Sequence, residues 1–162
     1  MTSTSGADGN SSWMSLVAGE HVQPPELTTL EEVVAFRSDP TRDLSRHNVD
    51  LPEGVTVHED VALGESSGLP VRAEIYVPDG DGPFPMLQYM HGGGWCWGRA
   101  LYVRKLGMSI AELGHVVVNL DYSLAPEHPF PRSLEETVYA ARWMTRHGSD
   151  YGGMPGPVAI GG

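Results

Sequence analysis

Pro85-Met86-Leu87-Gln88-Tyr89-Met90-His91-Gly92-Gly93-Gly94-Trp95 is the stretch on which the fold turns. Residues 85–90 form an apolar run of strand length, and a segment with helical spacing follows the glycines. Consecutive glycines cost backbone entropy and contribute no side-chain packing. They mark a place where the backbone itself comes close to something. Taken alone, a flexible turn after a strand reads equally well.

Downstream, Arg99 to Leu113 places Val103, Leu106, Ile110 and Leu113 at helical spacing, with Gly114 set to stop the helix. Val116-Val117-Val118-Asn119-Leu120 is a continuous apolar run, as expected for a strand buried on both faces of a parallel sheet. A loop with prolines at 126, 129 and 131 follows. Ser133-Leu134-Glu135-Glu136 has capping-box spacing, and Leu134, Val138, Ala141 and Met144 continue as one helical stripe. Arg142, Arg146 and His147 suit the negative end of that helix, and Gly148 closes it. Val158-Ala159-Ile160 then opens another buried strand.

Upstream, Val55, Val57, Val61 and Leu63 alternate as in a strand, and Val71, Ala73, Ile75 and Val77 mark a second. With Gly64 to Gly68 as the turn, the pair reads as an antiparallel hairpin. Thr29-Leu30-Glu31-Glu32 is a capping box for a short helix that ends before Asp39-Pro40. Residues 1–12 are polar and small and read as a disordered tail, followed by a short apolar patch at Trp13, Met14, Leu16 and Val17. The chain thus divides into a tail at 1–12, a cap- or lid-like segment at 13–54, and a partial α/β domain at 55–162. A helix simply packed on the domain surface is the alternative for 13–54.

At 162 residues and 40% apolar composition the chain can build one core. A net charge of −11 argues against nucleic acid and against an anionic membrane surface. One cysteine, Cys96, excludes an internal disulfide framework, and the seven histidines show no metal-ligand spacing. No cofactor is called for. The first residues show no signal-peptide pattern and no apolar run spans a membrane, so a cytoplasmic protein is expected.

Three motifs in this order carry a family resemblance: HGGGW at 91–95, DYSLAPEHPFP at 121–131 and VAIGG at 158–162. The chain resembles the N-terminal portion of an α/β-hydrolase of the hormone-sensitive-lipase-like, HGGG-type esterase family. The resemblance covers roughly residues 55 to 162. It implies a mostly parallel sheet that begins with an antiparallel hairpin and carries helices on both faces. It implies a carboxylic-ester hydrolase acting on small acyl esters through a Ser-His-Asp/Glu triad, with the serine in a Gly-x-Ser-x-Gly elbow. It implies oxyanion donors at Gly92, Gly93 and Gly94, with Gly93 and Gly94 donating and Gly92 shaping the turn. His91, Trp95, Asp121, Tyr122 and Glu127 are expected to support that loop. Relatives commonly carry arginine at the position of Ser123, so local ionic support is expected to be weaker here.

By the same resemblance the elbow begins at Gly161 or Gly162, and no triad member lies within the sequence. The chain is therefore expected to be inactive alone. Gly64-Glu65-Ser66-Ser67-Gly68 matches the elbow pattern literally, but it joins two alternating strands and lacks the strand–turn–helix context. Cys96, between Trp95 and Trp97, is read as packing. A non-catalytic, receptor-like ligand binder of the same fold is the alternative function. Self-association through an uncovered sheet edge is also expected.

Overall fold

The computed structural model describes residues 26–162. The proposed tail and the apolar patch at 13–17 lie outside the described residues. Five strands form one mixed sheet: β1 (Val55–Ser66), β2 (Leu69–Pro78), β3 (Phe84–Met90), β4 (Val116–Asp121) and β5 (Gly153–Gly161). Their order is β1-β2-β4-β3-β5. The β1/β2 and β2/β4 pairs are antiparallel; β3 pairs in parallel with both β4 and β5. The helices are α1 (Leu30–Ser38), α2 (Arg104–Glu112) and α3 (Arg132–His147).

The hairpin forms as expected, but its turn is tighter. The strands run on to Ser66 and Leu69, leaving Ser67 (φ 49°) and Gly68 (φ 77°) as a two-residue turn with both central φ angles positive. That handedness matches the twist of the strands it joins. Ser66, the serine of the literal elbow pattern, pairs with Leu69 inside the hairpin. The β1 alternation is corrected by an irregularity between His58 and Val61, where Asp60 takes φ 50°. The extra residue flips the side-chain parity. Val55 and Val57 therefore pack on one sheet face, while Val61 and Leu63 pack on the other.

Helices cover both faces. α3 lies over Val71, Ala73, Ile75, Val116, Val118 and Leu120, and α2 lies over Tyr76 and Val117. All five residues from Val116 to Leu120 are buried, as a strand covered on both sides requires. Both helical stripes read from sequence are corrected. In α2 the buried residues are Gly107, Met108 and Ala111, whereas Leu106 and Leu113 are exposed. Small residues let α2 approach closely: a Cβ on Gly107 would lie 2.3 Å from the Tyr76 ring. The segment before it, Ala100–Val103, is a 3₁₀ turn and not α-helix.

In α3 the core face is Arg132, Glu136, Ala140 and Met144, while Leu134 and Val138 are exposed. The expected capping box at Ser133 does not form. The helix begins at Arg132, two residues earlier than that box would start it, and its N-cap is Pro131 with no side-chain cap. Glu136 turns inward to other partners, which removes the reciprocal bond that a box needs. The box at Thr29 and Glu32 does form, with both bonds present. β5 pairs in parallel with β3; among the described residues no strand pairs with its other edge, and Ile160 is 53% exposed.

The chain leaves β3 for one face of the sheet, through α2, and leaves β4 for the other, through α3. Strand order reverses between them. In open α/β sheets the crevice at the carboxyl ends of such a strand pair is where ligands bind. Here that crevice lies between the residues following Met90 and those following Leu120, which are direct register partners.

Candidate active-site loop

The glycine loop leaves β3 at His91 and re-enters regular structure at Ala100. Residues at the end of β4 hold both of its ends. The Tyr122 hydroxyl donates to the His91 carbonyl (2.7 Å), and the two rings stack at 4.2 Å with planes 10° apart. At the far end Asp121 Oδ1 accepts from the Ala100 amide (2.8 Å) and Asn119 Nδ2 donates to the Ala100 carbonyl (2.8 Å). Asn119 also donates to the Tyr76 hydroxyl (2.9 Å), which donates to Glu74 Oε2 (2.5 Å). Arg104 completes this buried chain by pairing with Glu74 and with Glu59.

Within the loop the backbone closes on itself. Cys96 and Trp97 amides both donate to the Gly93 carbonyl, at 3.2 and 3.1 Å. Gly93 takes φ 135° and Gly94 φ 59°, the left-handed region that glycine enters without steric penalty. A Cβ on Gly93 would lie 1.9 Å from the Trp97 carbonyl oxygen. The loop therefore needs glycine at 93 for room as well as for φ. Among the described residues, the amides of Gly92, Gly93 and Gly94 have no protein acceptor. Three neighbouring donors stand open at the carboxyl end of β3.

His91 is 4% exposed, and burial holds its imidazole below the usual histidine range. The contact with the Gly92 carbonyl (Nδ1, 2.9 Å) and the Asp121 carboxylate act in the opposite direction. Among the described residues Nε2 has no hydrogen-bond partner; Asp121 Oδ1 is 4.0 Å away. Burial likewise pushes the Tyr122 phenol up to about 12, so it remains a donor across the working pH range. Trp95 is 69% exposed, and its carbonyl accepts from the Ala125 amide (2.8 Å), which ties the glycine loop to the loop after β4.

Two supports were not legible in sequence. Arg37 on α1 donates from Nε to the Cys96 carbonyl (2.7 Å), from Nη2 to the Ala125 carbonyl, and from Nη1 to Glu127 Oε1 (2.7 Å). That bond to Arg37 is the main reason the Glu127 carboxyl sits below its usual range. Phe36 meets Trp97 edge-on at 6.0 Å. The second support answers the missing arginine at 123. Ser123 donates through its amide and hydroxyl to buried Glu136 (2.6 and 2.7 Å), which also pairs with Arg132 (2.6 Å). No sequence signal links positions as far apart as 37 and 127, or marks Glu136 as turned inward.

The family model for the α/β-hydrolase fold matches residues 87–162, from β3 through β5. The chain belongs to the α/β-hydrolase fold family. It is 36% identical over 115 residues to the carboxylic ester hydrolase LipN of Mycobacterium tuberculosis, covering 67% of this chain and 30% of LipN. It is 32% identical over 105 residues to a 2-hydroxyisoflavanone dehydratase of Glycyrrhiza echinata, covering 61% of this chain and 31% of that enzyme. Its fold superposes on a bacterial heroin esterase with a TM-score of 0.75 and 28% identity, covering 91% of this chain and 47% of the esterase. The chain thus spans about a third of the length of these curated relatives and about half of that solved structure. Several of the relatives it matches are named as esterases or carboxylic ester hydrolases. Among the described residues no helix is long and apolar enough to cross a membrane.

Proposed function

We propose that residues 91–98 are the oxyanion-binding half of a carboxylic-ester hydrolase site. The carrying observation is the run of open amides at Gly92, Gly93 and Gly94, fixed at the switch point of the sheet. When a nucleophile attacks an ester carbonyl, negative charge moves onto the oxygen. Donors already aimed at that oxygen lower the barrier without reorganising, and removing one costs about 2.7–4 kcal/mol of transition-state stabilisation. Gly93 and Gly94 are assigned as donors and Gly92 as the residue that shapes the turn and adds a third open amide. His91, buried and held neutral, is a clamp and not the base. Trp95, Asp121, Tyr122 and Glu127 hold the loop in place.

No residue of this chain is assigned as nucleophile, acid or base. Ser66 pairs with Leu69 inside a β-hairpin and does not stand on the strand-to-helix turn that a nucleophile elbow requires. The substrate class is a small acyl ester, and the carboxylate anion it yields is the simplest probe of the open amides. Two measurements test the reading. Titration with butyrate, followed by amide NMR, is expected to shift Gly93 and Gly94 selectively. Absence of any selective shift there overturns the assignment of those donors. An activated aryl ester is expected to show no serine-dependent turnover with the chain alone; turnover abolished by a serine-directed phosphonate would overturn the claim that it is catalytically incomplete.

A further inference from the structure

We infer that Arg37 is a positioning residue for the glycine loop, and that α1 is the strap that carries it. The inference rests on reading 91–98 as the oxyanion loop. A single guanidinium spans both loops of the site. Nε reaches the Cys96 carbonyl on the glycine loop, while the other two nitrogens reach the Ala125 carbonyl and the Glu127 carboxylate on the loop after β4. Among the described residues the two loops are also joined by the Ala125 amide bond to the Trp95 carbonyl and by the Tyr122 hydroxyl bond to the His91 carbonyl, neither of which reaches Cys96. The Cys96 amide, with that of Trp97, also closes the turn onto the Gly93 carbonyl. Drawing its carbonyl toward α1 therefore sets the peptide planes around Gly93 and Gly94, whose amides are the open donors.

The chemistry requires arginine. Three acceptors are arranged around one planar fork, and a lysine ammonium on a flexible stem does not reproduce that geometry. The geometry also ranks the contacts. Glu127 is 41% exposed, and exposed ion pairs contribute little, whereas the carbonyl bonds are partly buried. α1 is itself well fixed. Its capping box is complete, Val33 is buried, and Arg42 lies over the Phe36 ring at 3.8 Å as that ring meets Trp97. The segment before β1 thereby becomes part of the site's geometry through a side chain that touches no reacting atom.

The test is residue-resolved hydrogen exchange and amide NMR on the intact chain, without ligand. In Arg37→Gln the Cys96, Trp97 and Ala125 amides are expected to exchange about tenfold faster, while the β2 and β4 amides stay unchanged. The Gly93 and Gly94 cross-peaks are expected to move. Arg37→Lys should behave like Arg37→Gln, and Glu127→Gln should change exchange far less. Millimolar guanidinium added to Arg37→Ala should restore slow exchange at Cys96. Unchanged loop amides, or a uniform rise across the sheet, would overturn the positioning role. So would full rescue by lysine. Because no ester or carboxylate enters this experiment, its failure is distinct from a failed butyrate titration.

Discussion

Gly93 and Gly94 look alike in sequence and differ sharply in what they tolerate. Gly93 combines φ 135° with a Cβ position 1.9 Å from the Trp97 carbonyl oxygen, whereas Gly94, at φ 59°, has open space around it. Gly94→Ala should cost about 1–2 kcal/mol, the left-handed penalty of an L-residue. Gly93→Ala should force the 93–97 turn apart. Amide NMR should show Cys96 and Trp97 losing protection in Gly93→Ala and keeping it in Gly94→Ala; the reverse order would contradict the loop geometry. His91 supplies a pH prediction. Its folded pKa is lowered by burial, so the unfolded chain binds a proton that the folded chain refuses. The stability this gives is present above the unfolded value of about 6.5 and is lost as pH falls toward the folded pKa. The slope is at most about 1.4 kcal/mol per pH unit, and urea melts of wild type and His91→Gln across this range should differ by that slope.

At the scale of elements, the existence and order of strands and helices were legible, and the faces of the helices were not. The reason is physical. Leu106 and Leu113 satisfy a hydrophobic count, but α2 packs with its small residues because the Tyr76 ring fills the space beneath it. Tyr76 is fully buried and tied to Glu74 and Asn119, so it cannot yield. Gly107→Ala, a change that helix propensity alone favours by about 1 kcal/mol, should therefore destabilise by about 1–3 kcal/mol through overpacking. A denaturant midpoint above wild type would refute this. In α3 the sequence stripe held only at Met144, because Glu136 left the helix surface to bind Ser123 and Arg132. Met144→Ala should cost about 2–5 kcal/mol, while Leu134→Ala, at an exposed site, should fall within about 0.5 kcal/mol of wild type. The candidate loop was legible at His91 to Trp95 because three glycines in a row give up side-chain packing and backbone order at once, which marks a close backbone approach. Its support from Arg37 was not, because a contact across 90 positions leaves no local pattern.

At the scale of the whole molecule, two properties oppose each other. Among the described residues β5 pairs only with β3, which leaves its outer backbone edge open. Ile160 is 53% exposed on that strand and Met154 46%, and Leu134, Val138 and Phe130 add further exposed apolar surface. An open strand edge beside apolar surface favours pairing with a second chain. A net charge of −11 works against it, since two copies repel. That repulsion acts between exposed charges and is screened over about 10 Å at 0.1 M salt, whereas strand pairing and apolar burial are not screened. Association should therefore strengthen as ionic strength rises, the opposite of an assembly held by ion pairs. Pro155 and Pro157 lack amide donors, so the available edge is the segment 158–161. Ile160→Lys places a charge there while leaving the β3 pairing intact. Sedimentation velocity should show concentration-dependent oligomers of the wild-type chain that grow with added salt, and a shift toward monomer for Ile160→Lys. A wild-type monomer that is indifferent to both concentration and salt would show that the edge is protected in solution.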